Sequence, residues 1–154
     1  MIGAAALAAA LAAGDPQHGK EIYARCLACH ALAYDRVGPR HCGLLGRRAG
    51  SIPGFAYSGA MQKSGIVWNK KTLDRFLADP THTVPGTAMT YAGVPDAQER
   101  ADLIAFLAAA DRSADCRAKL VHGLAIERAA ERRAHSIVVR PRPVDPVAAR
   151  AVHE

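Results

Sequence analysis

Cys26-Leu27-Ala28-Cys29-His30 limits what this chain can fold into more than any other stretch. Two cysteines three apart share one helical turn, and a histidine follows the second at once. That spacing suits attachment of a c-type haem. Each thiol can add across a porphyrin vinyl group, and the histidine then projects toward the iron. Two other readings compete. A Cys-x-x-Cys redox dithiol belongs in a βαβ setting, and no alternating strand pattern surrounds this one. A zinc site needs four ligands; with no second close pair, His18, His41 and Cys42 would enter only by an irregular arrangement. Composition favours haem. Of the 154 residues, 50% are hydrophobic but only 5% aromatic. A large flat apolar ring would supply the anchors that the side chains lack.

The surrounding pattern is helical and loop-rich. Residues 2–13 are an apolar run the length of a signal-peptide core, with Ala10-Leu11-Ala12 as a small-x-small cleavage site. No cationic segment precedes the run, since the first basic residue is Lys20. We read residues 1–13 as a signal-peptide remnant, with a frayed Ala-rich helix as the alternative. The run is too short to span a bilayer. Asp15-Pro16 starts a helix expected to reach residue 29, with Gly19 and Tyr23 on one face. Residues 31–66 are rich in Gly and Pro and read as loops with one short helix. Thr72 to Ala78 forms a short helix ending before Pro80. Residues 81–95 are irregular. Asp96 then caps a helix to Ala110, with Leu103, Phe106 and Leu107 on one stripe. The class is all-α. Loops this long around four short helices cannot make an ordinary two-layer core, so something must lie inside. If that is haem, its sixth position needs a ligand. Met1 is terminal and Met61 lies in a Gly/Ser-rich stretch. Met89 sits off any regular apolar face, in the loop Pro85-Gly86-Thr87-Ala88-Met89-Thr90-Tyr91, and is the best candidate.

Residues 15–110 resemble class I cytochrome c, the mitochondrial carrier and its small bacterial relatives. The resemblance runs in order through Cys26–His30, Gly38-Pro39, Gly43-Leu44-Leu45-Gly46-Arg47, Pro53 to Ser58, Gly65 to Trp68, Thr72-Leu73, Pro85 to Gly93 and Asp102 to Leu107. It implies the cytochrome c fold, with short helices and long loops wrapped around one covalent haem c and its iron. It implies thioethers at Cys26 and Cys29, and His30 as proximal ligand. The Pro39 carbonyl would take the other ring N–H of His30, and Met89 would be the distal ligand. Arg47, Tyr57, Ser58, Trp68 and Thr87 match positions that contact the haem propionates. Gly19 and Tyr23 should cross Leu103 and Phe106 where the terminal helices meet.

Six positions depart from the family pattern. Cys42 replaces a histidine that usually ties two loops together. Met61 and Phe76 replace an Asn and a Tyr that form a polar network beside the axial Met. Thr81, His82 and Ala88 stand where the mitochondrial protein carries lysines. Cys42 and Cys116 are read as free thiols, with a disulfide as the alternative. Residues 1–111 carry 11 basic and 9 acidic side chains, and residues 112–154 carry 9 and 5. The basic excess thus lies mainly in a tail and does not indicate nucleic-acid binding by the body. We expect a cytochrome c domain over 15–111 and a basic C-terminal extension over 112–154, with a weak helix from Cys116 to His135.

The function expected is that of an exported, periplasmic, monomeric carrier of single electrons in a respiratory or photosynthetic chain, and not an enzyme. Its partners would be a membrane reductase and an oxidase or reaction centre. No stable membrane insertion is expected. The alternatives are a peroxidase-like or sensor haem protein in which Met89 detaches, or an electron-entry module of a larger complex docked through the tail.

Overall fold

A computed structural model of the chain describes residues 14–114, 116–118, 128–129 and 131–133. Each α-helix among them begins where a short polar side chain satisfies a free backbone N–H. Asp15 accepts from Gln17 N and starts α1 (Pro16–Tyr23), with Pro16 in the first turn. Ser58 accepts from Met61 N ahead of α2 (Gly59–Lys63). Asn69 and Thr72 form a reciprocal capping box at α3 (Lys70–Ala78). Asp79 accepts from His82 N and opens α4 (Pro80–Thr83). Asp96 accepts from Glu99 N and opens α5 (Ala97–Asp111).

Two expectations about the helical elements need correcting. The first helix does not run to residue 29. It tightens into a 3₁₀ turn over Ala24–Cys26, and Cys29 N and His30 N both donate to Cys26 O, at 3.1 and 2.9 Å. The attachment motif is therefore itself a turn. The stretch 81–95 is not wholly irregular either, because Asp79 and Pro80 together start α4.

The framework is the crossing of α1 and α5, the most extensive contact between elements. Gly19 is what allows it. A Cβ there would overlap the Asp102 carbonyl and lie 2.9 Å from Phe106 Cβ. Tyr23 stacks at a tilt on Phe106, ring centroids 5.1 Å apart. Leu103, Ile104 and Leu107 turn inward to join Ile22, Leu73, Phe76, Leu77 and Val94 in one core. No strand occurs among the described residues, but two loops pair briefly around Arg48 and Val67. Gly46 N donates to Trp68 O at 2.8 Å and Trp68 N to Arg47 O at 2.9 Å. This pairing sets Arg47 and Trp68 side by side.

The chain divides into two units, Met1–Leu120 and Val121–Glu154. In the second, 128–129 and 131–133 are helical and exposed. In the first, the C-terminal end of α5 returns to the loop at 42–45. The Asp111 carboxylate accepts from Gly43 N, Leu44 N and Leu45 N at 2.8, 3.3 and 3.0 Å. The chain continues to Cys116, which is disulfide-bonded to Cys42 with Cα atoms 5.2 Å apart. The free-thiol reading is thus corrected: Asp111 anchors the end of α5 beside Cys42 and brings its partner within reach. Residues 1–13, and most of the helix expected from Cys116 to His135, lie outside the described residues.

Candidate functional site

All ten residues singled out from the sequence line one cavity of about 290 Å³. Cys26, Cys29 and His30 come from the turn after α1, and Pro39 from the loop that follows. Arg47, Tyr57, Ser58 and Trp68 come from the middle loops, and Thr87 and Met89 from the segment after α4. The rest of the wall is largely apolar, with Leu44, Met61, Phe76, Leu77, Leu103 and Leu107 contributing. Cys26 and Cys29 carry no disulfide, and Cys29 is exposed. Burial pushes the Cys26 thiol up.

His30 is held on two sides. Its Nδ1–H donates to the Pro39 carbonyl at 2.7 Å, which leaves Nε2 as the lone-pair nitrogen. Gly38 lies flat against the ring, where a Cβ would overlap the imidazole. Burial lowers the His30 pKa, and the bond to Pro39 partly opposes this. Burial thus favours the neutral ring, the form that ligates metal.

Met89 is positioned by its own loop. Thr87 N donates to Val84 O at 3.0 Å, and the Thr87 hydroxyl accepts from Met89 N at 3.2 Å. Thr87, expected to meet a propionate, thus also shapes the turn that presents the thioether. The Ser58 hydroxyl likewise has a local role, as the cap of α2. Arg47 donates to Cys42 O and Arg40 O, both at 2.9 Å, so its cation is anchored at the cavity wall with further N–H groups unused. Burial lowers its pKa, with Tyr57 opposing. Trp68 is 7% exposed and packs on Phe76 at 5.1 Å.

His41 entered the sequence reading only as a remote zinc ligand, yet it lines the cavity and stacks on His30 with centroids 4.4 Å apart. Burial pushes its pKa down to about 3, with His30 and Arg47 adding to the effect. Among the described residues no three His, Cys, Asp or Glu side chains group as a metal site, which leaves the zinc reading without a ligand set. The donors that do meet in the cavity are two imidazoles (His30, His41), two thioethers (Met61, Met89) and two thiols, set in largely apolar walls beside the anchored Arg47. This set fits haem c.

The comparisons agree. The family model described as "Cytochrome c" matches residues 16–111. A cytochrome c2 of Rhodomicrobium vannielii is 47% identical over 113 residues, covering 70% of this chain and 90% of the relative. A cytochrome c2 of Blastochloris viridis is 43% identical over 106 residues, covering 67% of this chain and 84% of the relative. Among solved structures, cytochrome cH from Methylobacterium extorquens is similar, with a TM-score of 0.61 and 40% identity. That match covers 62% of this chain and 99% of the other. The chain belongs to the cytochrome c family. It is a c-type cytochrome of all-α cytochrome c fold, an electron carrier with covalently attached haem c.

Proposed function

We propose that Cys26 and Cys29 carry the haem as thioethers, that His30 and Met89 fill the two axial positions of its iron, and that the protein passes single electrons without binding a substrate at the metal. One observation carries this reading: both thiols, a neutral imidazole with its outer nitrogen already engaged, and a thioether presented by a shaped turn all line one apolar cavity. When bound, haem c supplies a one-electron iron couple, and His/Met ligation sets it higher than histidine alone. The chain does the rest. Pro39 fixes the tautomer and raises the basicity of His30. Thr87 holds the Met89 loop. Arg47, Tyr57, Ser58, Trp68 and Thr87 are the groups to meet the propionates. The largely apolar walls keep water out.

Residues 15–111 form the haem domain in this reading, and 112–154 a basic extension from it. Electrons enter and leave at the cavity mouth, where Val37 and Tyr91 line the cavity while remaining 83% and 36% exposed. Thr81, His82 and Ala88 are exposed and add no lysine to that region. With 11 basic and 9 acidic side chains over residues 1–111, docking should depend only weakly on salt. The partners proposed are a membrane reductase and an oxidase or reaction centre, met in the periplasm by a monomer. The cytochrome c2 relatives support this setting, and no described helix is long and apolar enough to cross a membrane.

A potentiometric titration of the holoprotein, followed by a peroxide assay with a reducing dye, tests the assignment. A reversible one-electron transition with no dye oxidation is expected. Sustained peroxide-dependent dye oxidation contradicts it and favours a haem enzyme.

A further inference from the structure

His41 lies face to face with His30. The ring centroids are 4.4 Å apart and the planes 22° apart. His41 is held from behind, its Nδ1 lying 3.1 Å from the Tyr23 hydroxyl in a hydrogen bond. Tyr23 is itself immobilised, 4% exposed and packed on Phe106. The backbone is secured too, since His41 N donates to Ala31 O and Leu32 O, both at 3.1 Å. Those carbonyls belong to the residues that directly follow His30, so the loop returning from Pro39 is tied to the proximal segment itself.

An apolar side chain would fill this place without the cost of desolvating an imidazole and a phenol. The Tyr23 hydroxyl and His41 Nδ1 satisfy each other. Tyr23 meets His41 edge-on, ring centroids 5.6 Å apart, while a face of the imidazole lies on His30. An imidazole bound through a single nitrogen can still rotate about that bond. The Pro39 carbonyl restrains one edge, and a stacked ring restrains the plane.

The geometry points to His41 as a positioning residue for the proximal ligand, with the Tyr23 hydroxyl holding it in the stacked orientation. This rests on ligation of the haem iron by His30. With haem bound, the plane of the His30 imidazole, together with the orientation of the Met89 sulfur, would help set how unpaired spin is distributed over the haem methyl groups in the ferric state.

The experiment is proton NMR of the ferric holoprotein, with its reduction equilibrium against a fixed mediator, for wild type, Tyr23→Phe and His41→Leu. Tyr23→Phe keeps the ring and its packing but releases His41, so it decides the matter even where His41→Leu folds poorly. The expected result is an altered spread of haem-methyl hyperfine shifts in Tyr23→Phe and a change of about threefold in the reduction equilibrium constant, the scale of one lost hydrogen bond. His41→Leu should show a larger change in both. Superimposable methyl shifts and an unchanged equilibrium in Tyr23→Phe overturn the proposal, whatever happens to its melting temperature. A wild-type ferric protein without a low-spin, hyperfine-shifted spectrum overturns ligation by His30 instead, and this inference with it.

Discussion

Two positions in the cavity wall carry apolar side chains where the cytochrome c family usually has polar ones. Met61 and Phe76 are 8% and 6% exposed, and both line the cavity. Removing both members of a polar network leaves no orphan group, whereas restoring one member alone creates one. Met61→Asn and Phe76→Tyr should therefore each destabilise the holoprotein by about 1–3 kcal/mol, and the double variant by less than their sum. Denaturant unfolding of the four proteins checks this, and strict additivity would contradict it. Much of the site was legible in the sequence, because covalent attachment and ligation admit only certain residue types at certain spacings. The ten residues named from the sequence all fall on the wall of one cavity. His41 was not legible, because its role depends on a loop returning across the His30 ring. Asp111 left a faint signal: an acidic side chain at the last position of a helix opposes the helix dipole, so it needs another reason to be there. That reason is the three backbone N–H groups of the loop at 43–45.

At the scale of elements, stability rests on the α1–α5 crossing. Gly19→Val would drive a branched side chain into the Asp102 carbonyl and the Phe106 side chain. The expected loss is about 3 kcal/mol or more, read as a fall in melting temperature. An unchanged melting temperature would mean that the helices separate at little cost. The same crossing carries a pH-dependent tie. Buried Asp102 accepts from Asp15 N and His18 Nδ1, both at 2.7 Å, and from Gln98 at 2.8 Å. Burial alone would raise the Asp102 pKa, but these hydrogen bonds, His18 foremost, bring it below the ordinary value of 3.8. The bond to Asp102 raises His18 above 6.5. The His18 contribution is present below its unfolded pKa and fades as pH rises through the folded one. The Asp102 contribution is present above its unfolded pKa and fades as pH falls through the folded one. The tie is thus strongest between about pH 4 and 6.5. His18→Gln should flatten the stability profile on the alkaline side of that window; an unaltered profile would assign the pH dependence elsewhere. Helix starts were readable here, at Asp15-Pro16 and Asp96. The end of α1 was not, because the turn at Cys26–His30 closes on backbone bonds that no residue type announces.

For the molecule as a whole, the disulfide joins residues 74 apart in sequence and binds the chain beyond the family's span to the proximal loop. In chain-entropy terms a loop of that size is worth about 4 kcal/mol. Replacing both cysteines by serine should shift guanidinium unfolding to lower concentration by a corresponding amount, while the haem spectrum stays unchanged. Coincident unfolding curves would show the closure to be energetically idle. The pairing was beyond the reach of the sequence, since it depends on where α5 ends rather than on any pattern around either cysteine. The fold class, by contrast, followed from short helices and long loops that cannot make a core unaided. The central claim is that both axial positions are firmly held by the protein. The most direct test is the visible spectrum of the reduced holoprotein with and without carbon monoxide. A low-spin spectrum that carbon monoxide leaves unmoved is the predicted result. A shift on adding carbon monoxide would contradict it, because Met89 would then be yielding its place on the iron.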